Sequence, residues 1–591
     1  MKRITLTFLL SLVILAGCSS PTTESTKEEP QQPPTRIAEN TATTTGGHHQ
    51  AEKKEQRANP PAPAAEAMAS SFQATRMKAA GAAVGMTAVD RAMPQSAAPP
   101  VWNRESYNPN KENGFLNAGR EPLSTFSIDV DTAGYANVRR FVTGGSLPPA
   151  GAVRIEEMIN YFSYEYPAPS GSDPLALSAE IGPSPFHADY QLVRIGLKAR
   201  DLAKEQLPPS NLVFLIDVSG SMQDANKLPL LKQAMTLLVK QLGARDQVAI
   251  VVYAGADRVV LPPTSGNRQQ EIVAAIEHLQ AGGSTNASGG IRTAYQLARQ
   301  GFLHGGNNRV ILASDGDFNV GVTSRDELTR LITQERQSGV FLTVLGFGMG
   351  NYHDDTMEIL ADKGNGNYAY IDSLLEAKKV MVKELSGTLF TLARDVKIQV
   401  EFNPARVGAY RLIGYENRAL ANEDFRDDRK DAGEIGVGHR VTALYELIPS
   451  GHPAIPTLDR LKYQTVKRVP EDAASPELLT IKVRYKPLQA NSSRLISLAV
   501  NDAPRVKPSA DFRFAAAVAG YGMLLTHSEH LGVFTWEQCL EMARSGRGRD
   551  VEGYRAEFSR LVEMGQMLAQ QQGQPEADLD EPRSMPRPGI R

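Results

Sequence analysis

The sequence predicts a multidomain α/β protein whose centre is a doubly wound sheet, with an α+β piece before it and a β-plus-helix piece after it. Three observations carry this reading. The chain has 591 residues, more than one hydrophobic core accommodates, so roughly two to four domains are expected. Between about residues 209 and 390, short apolar runs alternate with amphipathic helical stretches. On both sides the pattern shifts to period-two alternation, which marks half-buried strands.

Apolar residues make up 41% of the chain and charged residues 22%, and Lys+Arg 64 against Asp+Glu 66 leave a net charge of −2. That balance is ordinary for a globular chain and gives no reason to expect nucleic acid as a partner. Residues 1–17 join Lys2 and Arg3 to an apolar run, Ile4–Leu15, that is too short to span a bilayer as a mature helix. They read as an export signal. The run ends in Leu15, Ala16, Gly17 and Cys18, which resembles the bacterial lipobox, where cleavage leaves the cysteine as a lipidated N-terminus. The resemblance implies that Cys18 is a membrane anchor. It also implies, from Ser19 in the next position, an outer-membrane protein facing the periplasm if the source is Gram-negative. Cys539 is the only other cysteine and is expected to be a buried thiol.

Residues 18–100 are dense in Pro, Thr, Gln, Glu, Ala and Ser and show no sustained apolar period. Such a segment cannot bury enough surface to offset its ordering entropy and reads as a disordered tether. His48 and His49 lack further ligands at metal-binding spacing. Residues 101–205 read as strand, helix, helix and two strands. Asp129, Asp131 and Gly134 occupy positions one, three and six of a calcium loop, but Ala133 and Arg140 fall where the fifth and twelfth ligands belong. A capped strand-to-helix turn is the better expectation there.

Residues 206–392 form the central piece. NLVFLID, QVAIVVYAG, RVILASD, GVFLTVLGFG and NYAYID are apolar runs of the kind found in strands buried on both faces. Leu228, Leu231, Met235, Leu238 and Leu242 recur at helical spacing between the first two. Strands alternating with helices imply right-handed crossovers, a parallel sheet and a Rossmann-like fold. Ligands of such sheets bind beyond the carboxyl ends of the strands. Those ends carry Asp217, Ser219 and Ser221 in DVSGS, Thr285 in GGSTN and Asp315 in SDGD. All five offer hard oxygen donors, which suits Mg²⁺ first, with Mn²⁺ or Ca²⁺ as alternatives, and argues against zinc or copper. Two carboxylates offset a divalent charge, and three hydroxyls add coordination without charge. The same residue types also cap helices, so a polar loop cluster is the competing reading.

DVSGS, the distant threonine and the distant aspartate resemble the von Willebrand factor A (VWA) domain and its metal-ion-dependent adhesion site. The resemblance implies a divalent cation at Asp217, Ser219, Ser221, Thr285 and Asp315, and a protein partner that supplies an aspartate or glutamate to it. FSIDVDTAGYANVRRFV, RIEEMINYF and GNYHDDTMEILADKGNGNYAYID, together with the lipobox, resemble the YfbK-like bacterial lipoproteins.

Residues 393–571 begin with strands in DVKIQVEFNP, RVTALYELIP, LLTIKVRYKP and RLISLAVN, an antiparallel piece. Helices follow in DFRFAAAVAGYGMLL, WEQCLEMARS and YRAEFSRLVEMGQMLAQ. Residues 572–591 read as a disordered tail. No GxSxG elbow, HExxH or P-loop lysine motif occurs. The expected function is therefore metal-dependent protein binding at the membrane, not catalysis. Asp224 and Asp317 are the nearest candidates for a base if the ion activates water instead. A scaffold role for the VWA domain, with the flanks as binding surface, is the other alternative.

Overall fold

A computed structural model describes residues 111–128, 131–283, 287–316, 325–349, 353–384, 389–430, 432–456, 475–488, 492–503 and 507–572, with residues 105, 107, 387 and 490. The export signal, Cys18, the tether, Asp129, Thr285, Asp317 and residues 573–591 lie outside this set. Among the described residues, no helix is long and apolar enough to cross a membrane.

The chain opens with β1 (Leu116–Asn117), β2 (Leu123–Ser127), α1 (Ala133–Thr143), α2 (Ile155–Asn160), β3 (Leu175–Pro183) and β4 (Gln191–Ala199). The central domain follows as β5 (Ser210–Asp217), α3 (Leu228–Val239), β6 (Gln247–Tyr253), β7 (Asp257–Ser265), α4 (Gln269–Glu277) and α5 (Ala287–Gln300). It continues through β8 (Asn307–Ser314), α6 (Arg325–Glu335), β9 (Phe341–Phe347), α7 (Asp354–Lys363), β10 (Tyr368–Ile371) and α8 (Leu374–Lys378), which runs into a π-helical turn at Lys379–Lys383. After it come β11 (Thr391–Phe402), β12 (Val407–Ile413), β13 (Ile435–Gly436), β14 (Arg440–Pro449), β15 (Glu477–Pro487) and β16 (Arg494–Asn501). Three helices close the described chain: α9 (Ala510–Thr526), α10 (Trp536–Ser545) and α11 (Tyr554–Gln572).

The central sheet has the order β10-β9-β8-β5-β6-β7 and is parallel except for β7, which pairs antiparallel with β6 at the edge. Every residue of β5 is buried, and alternation decides which layer each one fills. Leu212, Phe214 and Ile216 join the core under α3 and α4, whereas Val213 and Leu215 join the core under α5, α6 and α7. Two-sided burial is why the strand reads as one continuous apolar run. β7 carries Pro262 and Pro263, residues a sheet tolerates only where the missing N–H costs no ladder bond.

The two flanks, expected at 101–205 and 393–571, are joined by shared sheets. One antiparallel sheet has the order β1-β12-β14-β4-β3, so it interleaves strands from both sides of the central domain. In a second sheet, β13-β11-β15-β16, β2 lies against β11 with Ser127 opposite Lys397. The two share a core that includes Phe126, Val400, Tyr410 and Tyr445, with Phe402 stacked on Tyr410 at 3.9 Å between ring centroids. Strand β12 escapes sequence reading because Gly408 and Arg411 break its apolar alternation; Arg411 is buried by ion pairs to Glu112 (2.9 Å) and Glu446 (3.1 Å). The flanks are one frame, and the VWA-like sheet is inserted into it.

Helices complete the frame. α9 is apolar almost all round and is the centre of a helical core with α1, α2, α10 and α11. Its Gly520 faces Phe534 so closely that a Cβ would lie 2.2 Å from the ring. Cys539 is buried in this core, where its thiol donates to the Ala517 carbonyl at 3.3 Å.

Charge pairs tie frame to insert. Arg139 on α1 reaches Asp372 (2.6 Å) and Glu376 (2.7 Å) of the central domain and Glu557 (3.1 Å) on α11. Arg154 pairs with Asp354 and with Glu358 (3.1 Å) of α7, and Arg418 pairs with the same Glu358 at 2.8 Å. Asp131 belongs to this network. Its Oδ1 accepts from the Tyr368 N–H at 2.8 Å, and Thr132 at the start of α1 makes no side-chain cap, so the expected capped turn is replaced by a tie to β10.

Candidate metal centre

The sheet delivers Asp217 to the end of β5 and Asp315 one residue past the end of β8, on neighbouring parallel strands. Beyond Asp217 the chain turns sharply. The Val218 N–H still bonds to the Tyr253 carbonyl at 3.0 Å, and the Ser219 N–H donates back to Asp217 Oδ1 at 2.8 Å. This local bond fixes Ser219 while keeping its hydroxyl free to point elsewhere. The hydroxyls of Ser219 and Ser221 approach to 3.0 Å.

A second loop is laced to this turn. The Gly220 N–H donates to the Gly283 carbonyl (3.1 Å) and the Gly282 N–H to the Val218 carbonyl (2.8 Å). Gly283 has φ +87°, a left-handed conformation that glycine adopts without strain. Thr285 lies outside the described residues; the described end of its loop is at the turn. On the β8 side the Ser314 hydroxyl donates to Asp217 Oδ2 at 3.2 Å and accepts from the Gly316 N–H at 3.1 Å. The structure therefore brings together Asp217, Ser219, Ser221 and Asp315 of the five residues singled out in the sequence.

Asp217 is fully buried and Asp315 is 3% exposed. Burial pushes the Asp217 carboxyl up to about 6, with the Asp315 charge adding to the rise and the Ser219 and Ser314 hydrogen bonds opposing it. Two buried acids so arranged create a demand for positive charge. Lys227, which sequence reasoning missed, answers part of it. Its ammonium lies 3.0 Å from Asp315 Oδ2 and 3.0 Å from the Ser221 carbonyl, and the residue is only 6% exposed. Room for its stem comes from Gly348, at φ +79°, where a Cβ would fall 2.3 Å from Lys227 Cε. In sequence, a lysine before an apolar helix reads as solvated, and nothing local says otherwise.

The donors suit a small hard cation. An octahedral ion with bonds of about 2.0–2.1 Å needs adjacent oxygens about 3 Å apart, and the Ser219–Ser221 separation of 3.0 Å meets that spacing. Asp217, Ser219, Ser221 and Asp315 would hold it. A different acidic group, Asp131, Glu157 and Glu358, also brings carboxylate oxygens within 4.8 Å of one another. There Arg154 and Arg418 stand among the acids, with Arg154 2.9 Å from Glu157, so the protein itself supplies the counter-charge.

Family models match three consecutive stretches: "von Willebrand factor" over residues 101–194, "von Willebrand factor type A domain" over 211–383, and "Uncharacterized protein YfbK, C-terminal" over 387–568. The chain is 45% identical over 467 residues to protein YfbK of Escherichia coli, covering 78% of this chain and 80% of that one. It belongs to the YfbK family. A second relative, inter-alpha-trypsin inhibitor heavy chain H4 of Sus scrofa, is 30% identical over 146 residues, 24% of this chain and 16% of that protein's length. Among solved structures, a von Willebrand factor type A protein from Catenulispora acidiphila aligns with a TM-score of 0.35 and 15% identity, over 64% of this chain and 89% of that one. In this YfbK-family chain the middle model coincides with the inserted sheet, and the outer two fall on segments whose strands pair in common sheets. The VWA domain and the Rossmann-like sheet expected from sequence are thus both present.

Proposed function

We propose that this YfbK-family chain is a metal-dependent protein-binding module held at the cell envelope, with Asp217, Ser219, Ser221, Thr285 and Asp315 as the cation ligands and Cys18 as the lipid anchor. The observation that carries it is the convergence of two buried carboxylates and a 3.0 Å pair of hydroxyls at the carboxyl ends of β5 and β8. A bound Mg²⁺, or Mn²⁺ or Ca²⁺ in its place, supplies an electrophilic position for a carboxylate of the partner protein. The chain's own part is orientation. Ser314 holds Asp217, the Gly282–Gly283 loop holds the serine turn, and Lys227 holds Asp315. No catalytic step is assigned to the site, since neither a GxSxG elbow nor an HExxH motif accompanies it.

The test is crosslinked capture from envelope extract, with wild type and Asp217→Ala compared in Mg²⁺, Mn²⁺ and EDTA. A protein retained only by wild type with metal supports the proposal, and identical lanes overturn it. A scaffold role for the VWA domain is the second reading, favoured by the Arg139 ion pairs that bind it to the frame. On that reading EDTA lowers the melting temperature and leaves capture intact.

A further inference from the structure

A cavity of about 650 Å³ lies between β8 and β9, the π-helical turn at Lys379–Lys383 and the loop that leads into β14. Close-packed interiors contain few voids larger than a water molecule, so a space of this size is occupied by solvent or by a ligand. It falls within the range of small-molecule sites, which combine apolar walls with a few placed polar groups. One wall consists of Leu238, Ile311, Leu345, Val380, Met381 and Leu389, all members of the core beneath α3.

The other wall is mixed in charge, with two cations, Lys379 and Arg440, gathered about His439. Lys379 is 3% exposed, with its ammonium 3.9 Å from the centre of the Tyr161 ring and 2.7 Å from Glu384 Oε1. His439 is held down to about 4 by burial and then by the charges of Lys379 and Arg440, so near neutrality it offers a hydrogen bond without charge. Arg440 has its Nε buried without a hydrogen-bond partner, and among the described residues no acid lies within ion-pairing distance of it. Three other charged groups on the wall are matched: Lys383 with Glu552 (2.6 Å), Asp201 with Lys198 (3.1 Å) and Arg555 with Asp511 (2.7 Å). Glu165, Arg549 and Asp550 also line the space without an ion pair among the described residues; with Lys379 and Glu384 cancelling, the cation beside His439 that no acid matches is Arg440.

We propose that this cavity binds an amphipathic anion with a single apolar chain, its carboxylate or phosphate head at Arg440 and His439 and its chain along Leu238, Leu345 and Met381. An anion at this point pairs with the half-buried Arg440 guanidinium, and the chain replaces water against an apolar wall. The site is separate from Asp217 and Asp315 and stands whether or not a metal binds there.

Dodecanoate, dodecyl phosphate and dodecanol, each below its aggregation threshold, are titrated calorimetrically into the full chain. Saturable one-to-one binding of either anion, at least about tenfold tighter than dodecanol, is expected, with about tenfold loss in Arg440→Gln. Preference between the two anions assigns the head group. Val380→Trp, which fills the apolar end, is expected to abolish binding; if circular dichroism shows that it does not fold, Arg440→Gln decides. Asp217→Ala is expected to bind the anions as wild type does. Equal affinity of wild type and Arg440→Gln, or no saturable binding by either anion, overturns the proposal.

Discussion

The ammonium of Lys227 stands 3.0 Å from Oδ2 of Asp315, inside the group of oxygens proposed to hold a divalent cation. A cation built into the chain thus stands at the carboxylate proposed to take one from solution.

Replacing the lysine separates the two. Lys227→Met removes a positive charge adjacent to the ligands, and Mg²⁺ measured by titration calorimetry is expected to bind at least about tenfold more tightly. Without metal the same variant takes the lysine counter-charge from buried Asp315, and is expected to lower the urea midpoint. Weaker metal binding instead makes Lys227 a positioning residue for Asp315.

Asp217 gives the site a pH dependence. Its carboxyl is raised from an ordinary value of 3.8 to about 6, chiefly by burial. Between those values the folded state holds a proton that the unfolded chain has released, so metal-free stability falls as pH rises from about 4 to 6. The full difference amounts to about 3 kcal/mol. Asp217→Asn is expected to flatten this dependence in urea titrations. Protons and metal compete for the same oxygens, so Mg²⁺ affinity is expected to weaken as pH drops below about 6.

Arg139 serves three acids at once. Arg139→Ala is expected to cost about 3–5 kcal/mol, because the charges of Asp372 and Glu376 stay buried without the arginine counter-charge. Arg139→Lys is expected to recover only part of this, since a point charge does not reproduce the guanidinium fork. The urea midpoints of the two variants measure both effects.

Burial pushes the Cys539 thiol well above its ordinary range. In a Cys18→Ser background, iodoacetamide is expected to leave the native protein unlabelled and to modify Cys539 only in guanidinium. Labelling of the native protein at the rate of a free thiol would contradict the burial.

The central sheet was legible because both-face burial writes each strand as an apolar run, and β5, β6, β8, β9 and β10 all have that form. The candidate metal ligands Asp217, Ser219 and Ser221 were legible because one short turn contains all three. Lys227 was not, since its counter-charge comes 88 residues later and its cradle, Gly348, later still. The pairing between the flanks was not legible for a related reason. Alternation in LSTFS announces a strand at β2 but carries no information about its neighbour, and the neighbour, β11, lies beyond the whole central domain.

Interleaving also orders events in time. During synthesis the central domain can close its own sheet as soon as β10 has emerged, while β1 and β2 wait for β12 and β11 and the helical core waits for α9 to α11. Long-range pairings of this kind are slow, and their unpaired edges are exposed until the last partner arrives. A chain truncated before β11 would therefore keep a foldable middle and lose its beginning.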